Sequence, residues 1–233
     1  MNMLVCPVCG TKEEYTENIL MCNNCYHVFR NYPELNLQKY YSEEYRLEDS
    51  NKQLKPEVYD KRNGFILNKI EPFLSNSESL FEVGFGYGYF HKKLTQTYPL
   101  INYQCCELST VLADENISKG INTYKGSFVD LPKPTERYDM VCSFDVLEHF
   151  YDPKTYVSKL HQILKKGGYA VIQVPTGRTI HFDKKFDGHY HYFSKQSLTM
   201  LMGPSFENVL FYKTNPGETA GGREFLTVFR KVV

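Results

Sequence analysis

The stretch "LFEVGFGYGYF", residues 80–90, constrains this chain more than any other. An apolar run carries a carboxylate, Glu82, and then three glycines, Gly84, Gly86 and Gly88, follow at alternate positions. Glycine loses more backbone freedom on folding than any other residue and brings no side chain to a core. Three of them together therefore mark a turn that must take left-handed angles or let the backbone lie against something bulky. Such a turn, at the end of a buried strand, is where open α/β sheets take ligands.

The flanking pattern agrees with an α/β fold. Strands are expected at 79–84, 101–107, 121–126, 138–144 and 169–174, separated by helices at 89–98, 109–118 and 153–166. Ser109 stands where a helix wants its N-cap, Pro153 falls in a first turn, and Gly167-Gly168 follow the last helical residues. In the 153–166 segment Tyr156, Val157, Leu160, Ile163 and Leu164 recur at three- and four-residue intervals. A further helix is expected at 195–202, and strands at 206–213 and 224–232 suit an antiparallel hairpin. The fold class is therefore α/β, with a doubly wound, mostly parallel seven-stranded sheet.

Four of the seven cysteines form two knuckles, Cys6-x2-Cys9 and Cys22-x2-Cys25, separated by twelve residues. That spacing predicts a tetrahedral structural zinc site with no position left open for catalysis. Cys105, Cys106 and Cys142 lie in apolar runs instead. The expected organisation is a zinc ribbon at 1–33, a tyrosine-rich connector at 34–60 with at most a short helix, and the main domain at 61–233. Lys+Arg and Asp+Glu number 27 each, so no overall charge steers the chain toward polyanions. No run is long and apolar enough to span a membrane, and the N-terminus lacks the regions of a signal peptide. The expected location is the cytoplasm.

A dinucleotide turn, G-x-G-x-x-G, would need glycine at position 89, where Tyr89 stands. An acidic residue two places before the first glycine suits a cationic ligand better than a pyrophosphate. The pattern resembles the cofactor loop of the class I S-adenosylmethionine-dependent methyltransferases. "YDMVCSFDVLEHFYDP" (138–153) resembles their fourth strand and the stretch after it, and "GGYAVIQVP" (167–175) their fifth. The resemblance implies that Glu82, Gly84, Phe85, Gly86 and Gly88 hold the methionyl end of the cofactor. Glu107, at the end of the second strand, and Leu108 would face the ribose. "GSFVDLP" (126–132) corresponds to the adenine loop, with Ser127 where the family usually carries an acid, so the contact falls to Ser127 or the Phe128 amide. Phe144 and Asp145 would line the methionyl and adenine side.

Methyl transfer from a sulfonium is an in-line displacement, and a hydroxyl acceptor must also lose a proton. Histidine suits that proton, and the candidates are His149, His189 and His191. His27, His91 and His161 read as packed or solvated. "FDGHYHYFS" (186–194) resembles a segment of zinc-containing sugar methyltransferases of polysaccharide and nucleotide-sugar pathways. In carbon-methylating members it reads roughly Tyr-Asp-Glu-His, whereas this chain has Phe186-Asp187-Gly188-His189. Oxygen methylation of a sugar, nucleotide-sugar or glycan precursor is thus the expected activity. Arg178, Lys184 and Lys185 are candidates for an anionic group on the substrate, against the reading that they form a solvated loop.

Two other readings remain open at this level. A ribosomal RNA methyltransferase group also carries an N-terminal zinc module, but residues 1–33 contain Lys12 and Arg30 against Glu13, Glu14 and Glu17, which disfavours nucleic acid. The other is a non-catalytic zinc-ribbon adaptor. The ribbon itself suits a substrate-side wall or a homodimer contact.

Overall fold

A computed structural model describes residues 2–15, 18–41, 56–133, 137–176, 188–214 and 224–233. Its main sheet has seven strands in the order β11-β12-β9-β8-β5-β6-β7. These are β5 (Ser79–Val83), β6 (Asn102–Glu107), β7 (Thr123–Lys125), β8 (Tyr138–Phe144), β9 (Leu164–Pro175), β11 (Phe206–Lys213) and β12 (Glu224–Lys231). β8 lies at the centre, and β5 beside it runs parallel to both β6 and β8. The chain builds outward through β6 and β7, then crosses back to β8 and β9. The carboxyl ends of β5 and β8 therefore flank the reversal, where a crevice must open. β12 alone runs against its neighbours, and it pairs with β11 as the expected C-terminal hairpin.

Both faces of this sheet are covered, as parallel pairing requires, and alternate residues supply two cores. Phe81, Val83, Val141, Ala170 and Ile172 face α4 (Pro153–Ile163) and α5 (Lys195–Met202) through Tyr156, Leu160, Ile163 and Leu198. Leu80, Met140, Cys142 and Val171 face α1 (Pro56–Leu74) and α2 (Tyr89–Thr97) through Ile66, Ile70, Leu74, Phe90 and Leu94. Local signals start the helices where expected. Ser109 caps α3 (Thr110–Ser118) through the Leu112 amide, Asp152 accepts from the Lys154 amide ahead of Pro153, and Ser194 forms a reciprocal capping box with Ser197.

Two elements differ from the sequence reading. α1 spans 19 residues and begins at Pro56, inside the stretch read as an aperiodic connector. Its apolar face is confined to its second half, because the buried positions of the first half are Arg62 and Asn63. α4 stops at Ile163 rather than 166, and β9 starts at Leu164. Leu164 is fully buried opposite Tyr138, and Lys165 reaches Asp139 at 2.8 Å, so these side chains serve the sheet. Gly167 and Gly168 then lie within a ladder irregularity between Tyr138 and Met140, and a Cβ at Gly168 would meet the Asp139 carbonyl at 2.8 Å.

The cysteine-bearing segment folds as a hairpin, β1 (Asn2–Val5) with β2 (Lys12–Tyr15), and a second pair, β3 (Ile19–Met21) with β4 (Val28–Arg30). The second pair is completed by β10 (His191–Tyr192), which comes from the far end of the chain. The Arg30 amide donates to the Tyr190 carbonyl, and the Ser194 hydroxyl to the Cys25 carbonyl. Val8, Leu20 and Phe29 share one core with Phe193 and Leu198. The ribbon is stitched into the larger domain by backbone pairing and apolar packing.

Candidate active site

Gly84, Gly86 and Gly88 all have positive φ, at 74°, 55° and 72°. At two of them space forbids any side chain as well. A Cβ on Gly84 would lie 2.7 Å from Val146 Cγ2, and one on Gly88 2.4 Å from the Phe85 ring. The amides of Gly84 and Phe85 both donate to the Cys106 carbonyl, tying the turn to β6. Above the turn lies a cavity of about 270 Å3, at the low end for a small-molecule site.

Every expected cofactor residue except Gly88 lines this cavity. Glu82, Gly84, Phe85 and Gly86 come from the end of β5 and its turn, and Glu107 and Leu108 from the end of β6. Ser127 and Phe128 enter after β7, Phe144 at the last residue of β8 and Asp145 directly after it. Gly88 instead stands at the start of α2, over the Phe85 ring, and serves the turn rather than the cavity wall.

The polar lining is acidic. Glu82 is buried and accepts from the Tyr103 hydroxyl; burial pushes its carboxyl up to about 8, against the pull of Tyr103 and Arg62. Glu107 accepts from the amides of Gly86 at 2.7 Å and Ser109 at 2.8 Å, yet burial still raises its pKa. Asp145, at a φ of 57°, pairs with Arg62 at 2.9 Å. The guanidinium of Arg62 also lies over the Phe144 ring, 5.7 Å from its centroid. Sequence reasoning missed Arg62, together with Tyr59 and Asn63, which line the cavity from α1. Their i, i+3, i+4 spacing was the available signal, a helical stripe of polar and aromatic residues continuing into an apolar one.

The candidate histidines separate. His149 lines the cavity; its Nδ1 lies 3.0 Å from the Gly188 carbonyl, and its ring meets Tyr41 and His189 edge-on. Burial, and then the neighbouring His189, hold its pKa down to about 3, so the ring is neutral. His189 sits behind His149, ring centroids 4.5 Å apart, and does not line the cavity. His191 lies elsewhere, so the sequence-based expectation of an acceptor-side role is not supported by its placement. Its Nδ1 is 3.1 Å from His27 Nε2 and its Nε2 is 2.8 Å from the Phe150 carbonyl, sealing the ribbon against the main domain. The alternation of β10 explains this, because His191 faces opposite to its neighbours in sequence. Arg178, Lys184, Lys185, Phe186 and Asp187 lie outside the described residues.

The four ribbon cysteines gather into one cluster. Cys6 and Cys25 have their sulfurs 3.7 Å apart, and Cys9 and Cys22 3.5 Å apart. Tetrahedral zinc with bonds of about 2.3 Å separates thiolates by about 3.8 Å. The donor set is compatible with zinc in both chemistry and spacing.

Residues 57–203, more than half of the chain, match the family profile of a methyltransferase domain. The chain belongs to that family. A rice (Oryza sativa subsp. japonica) 2-methyl-6-phytyl-1,4-hydroquinone methyltransferase is 26% identical over 99 residues, covering 42% of this chain and 30% of the rice protein. The chain thus spans about a third of that relative's length. An S-adenosylmethionine-dependent methyltransferase from Thermotoga maritima superposes with a TM-score of 0.59 at 21% identity, covering 80% of this chain and 96% of that one. The N-methyltransferase NodS of Bradyrhizobium japonicum, in complex with S-adenosyl-L-homocysteine, gives 0.57 at 17% identity, with 73% and 85% covered. These structures share the fold. Family match and strand order agree on a class I S-adenosylmethionine-dependent methyltransferase domain. The close-packed glycine turn and the acidic wall fit a ligand that bears an ammonium, a sulfonium and a ribose. Among the described residues, no helix is long and apolar enough to cross a membrane.

Proposed function

We propose that this methyltransferase acts on an oxygen of a small-molecule acceptor, of the sugar, nucleotide-sugar or glycan-precursor kind. The observation that carries this reading is one cavity whose lining holds both the carboxylates Glu82, Glu107 and Asp145 and His149, the last backed by His189. S-adenosylmethionine supplies an electrophilic methyl group when bound. Glu82 and Asp145 would neutralise its ammonium and Arg62 its carboxylate; Glu107 would accept the ribose hydroxyls. Leu108, Ser127, Phe128 and Phe144 would enclose the adenine side.

On the acceptor side, His149 donates Nδ1–H to Gly188, which leaves Nε2 as an acceptor for a hydroxyl proton. Gly188 stands where carbon-methylating sugar enzymes place a carboxylate, and that absence favours oxygen as the atom methylated. Zinc on Cys6, Cys9, Cys22 and Cys25 would hold the ribbon, whose β4 strand fixes the strand that follows His189. The ribbon then serves as a wall behind the acceptor, and its thiolates suit a reducing, cytoplasmic compartment. Its net negative charge supports a small acceptor over RNA.

The test is transfer of label from methyl-labelled S-adenosylmethionine into fractionated host extract, by the intact protein and by His149→Ala. Label in sugar-containing small molecules, reduced at least about a hundredfold in the variant, is the expected result. Label confined to RNA or protein would sink the proposal.

A further inference from the structure

Glu148 is the least explained side chain in the described structure. It sits one residue before His149 in the turn Leu147–His149, with no exposed surface. Both of its carboxylate oxygens are sealed from solvent and meet no hydrogen-bond partner on another described residue. A carboxylate in that position is costly unless something cationic or a donor satisfies it. Arg62 exerts an attraction on it, but Arg62 is already paired with Asp145, and Asp145 and Glu224 repel it.

Beside these oxygens stand two imidazoles. One donor atom each from Glu148, His149 and His189 lie within 4.8 Å of one another. His149 is already oriented as ligating histidines are: one nitrogen is held by a backbone carbonyl, that of Gly188, and the other is left with its lone pair. Gly188 has a φ of 89°, and a Cβ there would lie 3.4 Å from His149 Nδ1. A larger residue at 188 would be strained and would press on the ring.

We propose that Glu148, His149 and His189 form a binding site for a divalent first-row transition-metal ion at the acceptor end of the cavity. One carboxylate and two imidazoles suit Mn2+, Fe2+, Co2+ or Zn2+ and leave coordination positions for other ligands. This site is separate from the ribbon, whose four thiolates select zinc and have no open position. His149 is the member that also lines the cavity, so an open position faces the acceptor.

The use of the ion rests on the methyl-transfer reading; the ion site itself does not. An acceptor hydroxyl held at the ion loses its proton to water as the O–H bond breaks. The oxygen lone pair then forms the O–CH3 bond while the S–CH3 bond breaks with its electron pair remaining on sulfur. The products are a methyl ether, S-adenosylhomocysteine and one released proton. With the ion bound, His149 Nε2 is a ligand and the proton goes to water instead, the ion having lowered the acceptor's proton affinity.

The experiment titrates Mn2+ into the intact protein carrying one zinc per chain, bound by the four cysteines, and reads free Mn2+ by electron paramagnetic resonance. S-adenosylhomocysteine binding is measured in parallel by calorimetry. One saturable Mn2+ per chain is expected, weakened at least about tenfold in Glu148→Gln and in His189→Ala. Both variants should keep S-adenosylhomocysteine affinity within a factor of three, which shows that they fold. No saturable Mn2+, or equal binding in the wild type and both variants, would overturn the site. Loss of Mn2+ binding alone leaves the methyl-transfer reading intact. Mn2+ binding without S-adenosylhomocysteine binding supports the site and removes the purpose given to it.

Discussion

Arg62, on the inner face of α1, reaches Asp145 at the end of β8 with 2.9 Å between guanidinium and carboxylate. The pair crosses the cavity floor between an element before the sheet and one in the middle of it. Arg62 is nearly buried, its side chain 10% exposed, whereas that of Asp145 is 38% exposed. Ion pairing of this kind adds little stability when one partner stays wet. In the proposed function its consequence is for binding, where Arg62 would meet the ligand carboxylate.

Arg62→Met is therefore expected to weaken S-adenosylhomocysteine binding by about 10- to 100-fold, the worth of one or two hydrogen bonds to a charged group. Melting temperature should change little. Calorimetric titration checks the first and thermal unfolding the second. Unchanged affinity would move the methionyl carboxylate elsewhere.

Glu82 predicts a pH dependence. Burial raises its carboxyl from 4.5 to about 8 in the folded protein without ligand. Folding then binds a proton between those values, so the stabilisation is full below about 4.5 and is lost as pH rises through about 8. Unfolding free energy should fall across that window, and Glu82→Gln should flatten the slope. A ligand ammonium favours the ionised carboxylate, so cofactor affinity should rise with pH over the upper part of the window, with proton release. Titrations in two buffers of different ionisation enthalpy would detect that release.

Gly88→Ala tests the turn separately from the ligand. The left-handed backbone alone costs about 1–2 kcal/mol, and the new Cβ would overlap the Phe85 ring. The expected outcome is a melting temperature lower by several degrees, with further loss of affinity through displacement of Phe85. Gly120→Ala, at a φ of 77° with open space around it, provides the strain-only comparison.

Zinc removal should act at a distance. Cys22→Ser, or a strong chelator, is expected to unfold the ribbon and release β10 from β4. Hydrogen exchange should then accelerate at Arg30 and at Tyr190 through Phe193, while β5, β6 and their turn stay protected. Protection unchanged at 190–193 would show that β10 keeps its place without the ribbon.

The glycine spacing, the paired cysteines and the strand–helix alternation were enough, read alone, to identify the α/β fold, its seven strands, the cysteine cluster and, among the residues lining the cavity, those of the glycine turn and of the ends of β5, β6 and β8. These are local signals, carried by backbone angles, by period-2 burial and by ligand spacing along the chain. Other features were decided only by tertiary structure. α1 hides its helical face because Arg62 and Asn63 are buried toward a cavity instead of a core. The end of α4 was set by the place of Leu164 in a ladder with Tyr138. His189 and His191, two residues apart, were given different surroundings by a two-residue strand that pairs with β4, more than 150 residues earlier in the chain. No local pattern records such a pairing, because its energy comes from partners that meet only when the chain has folded.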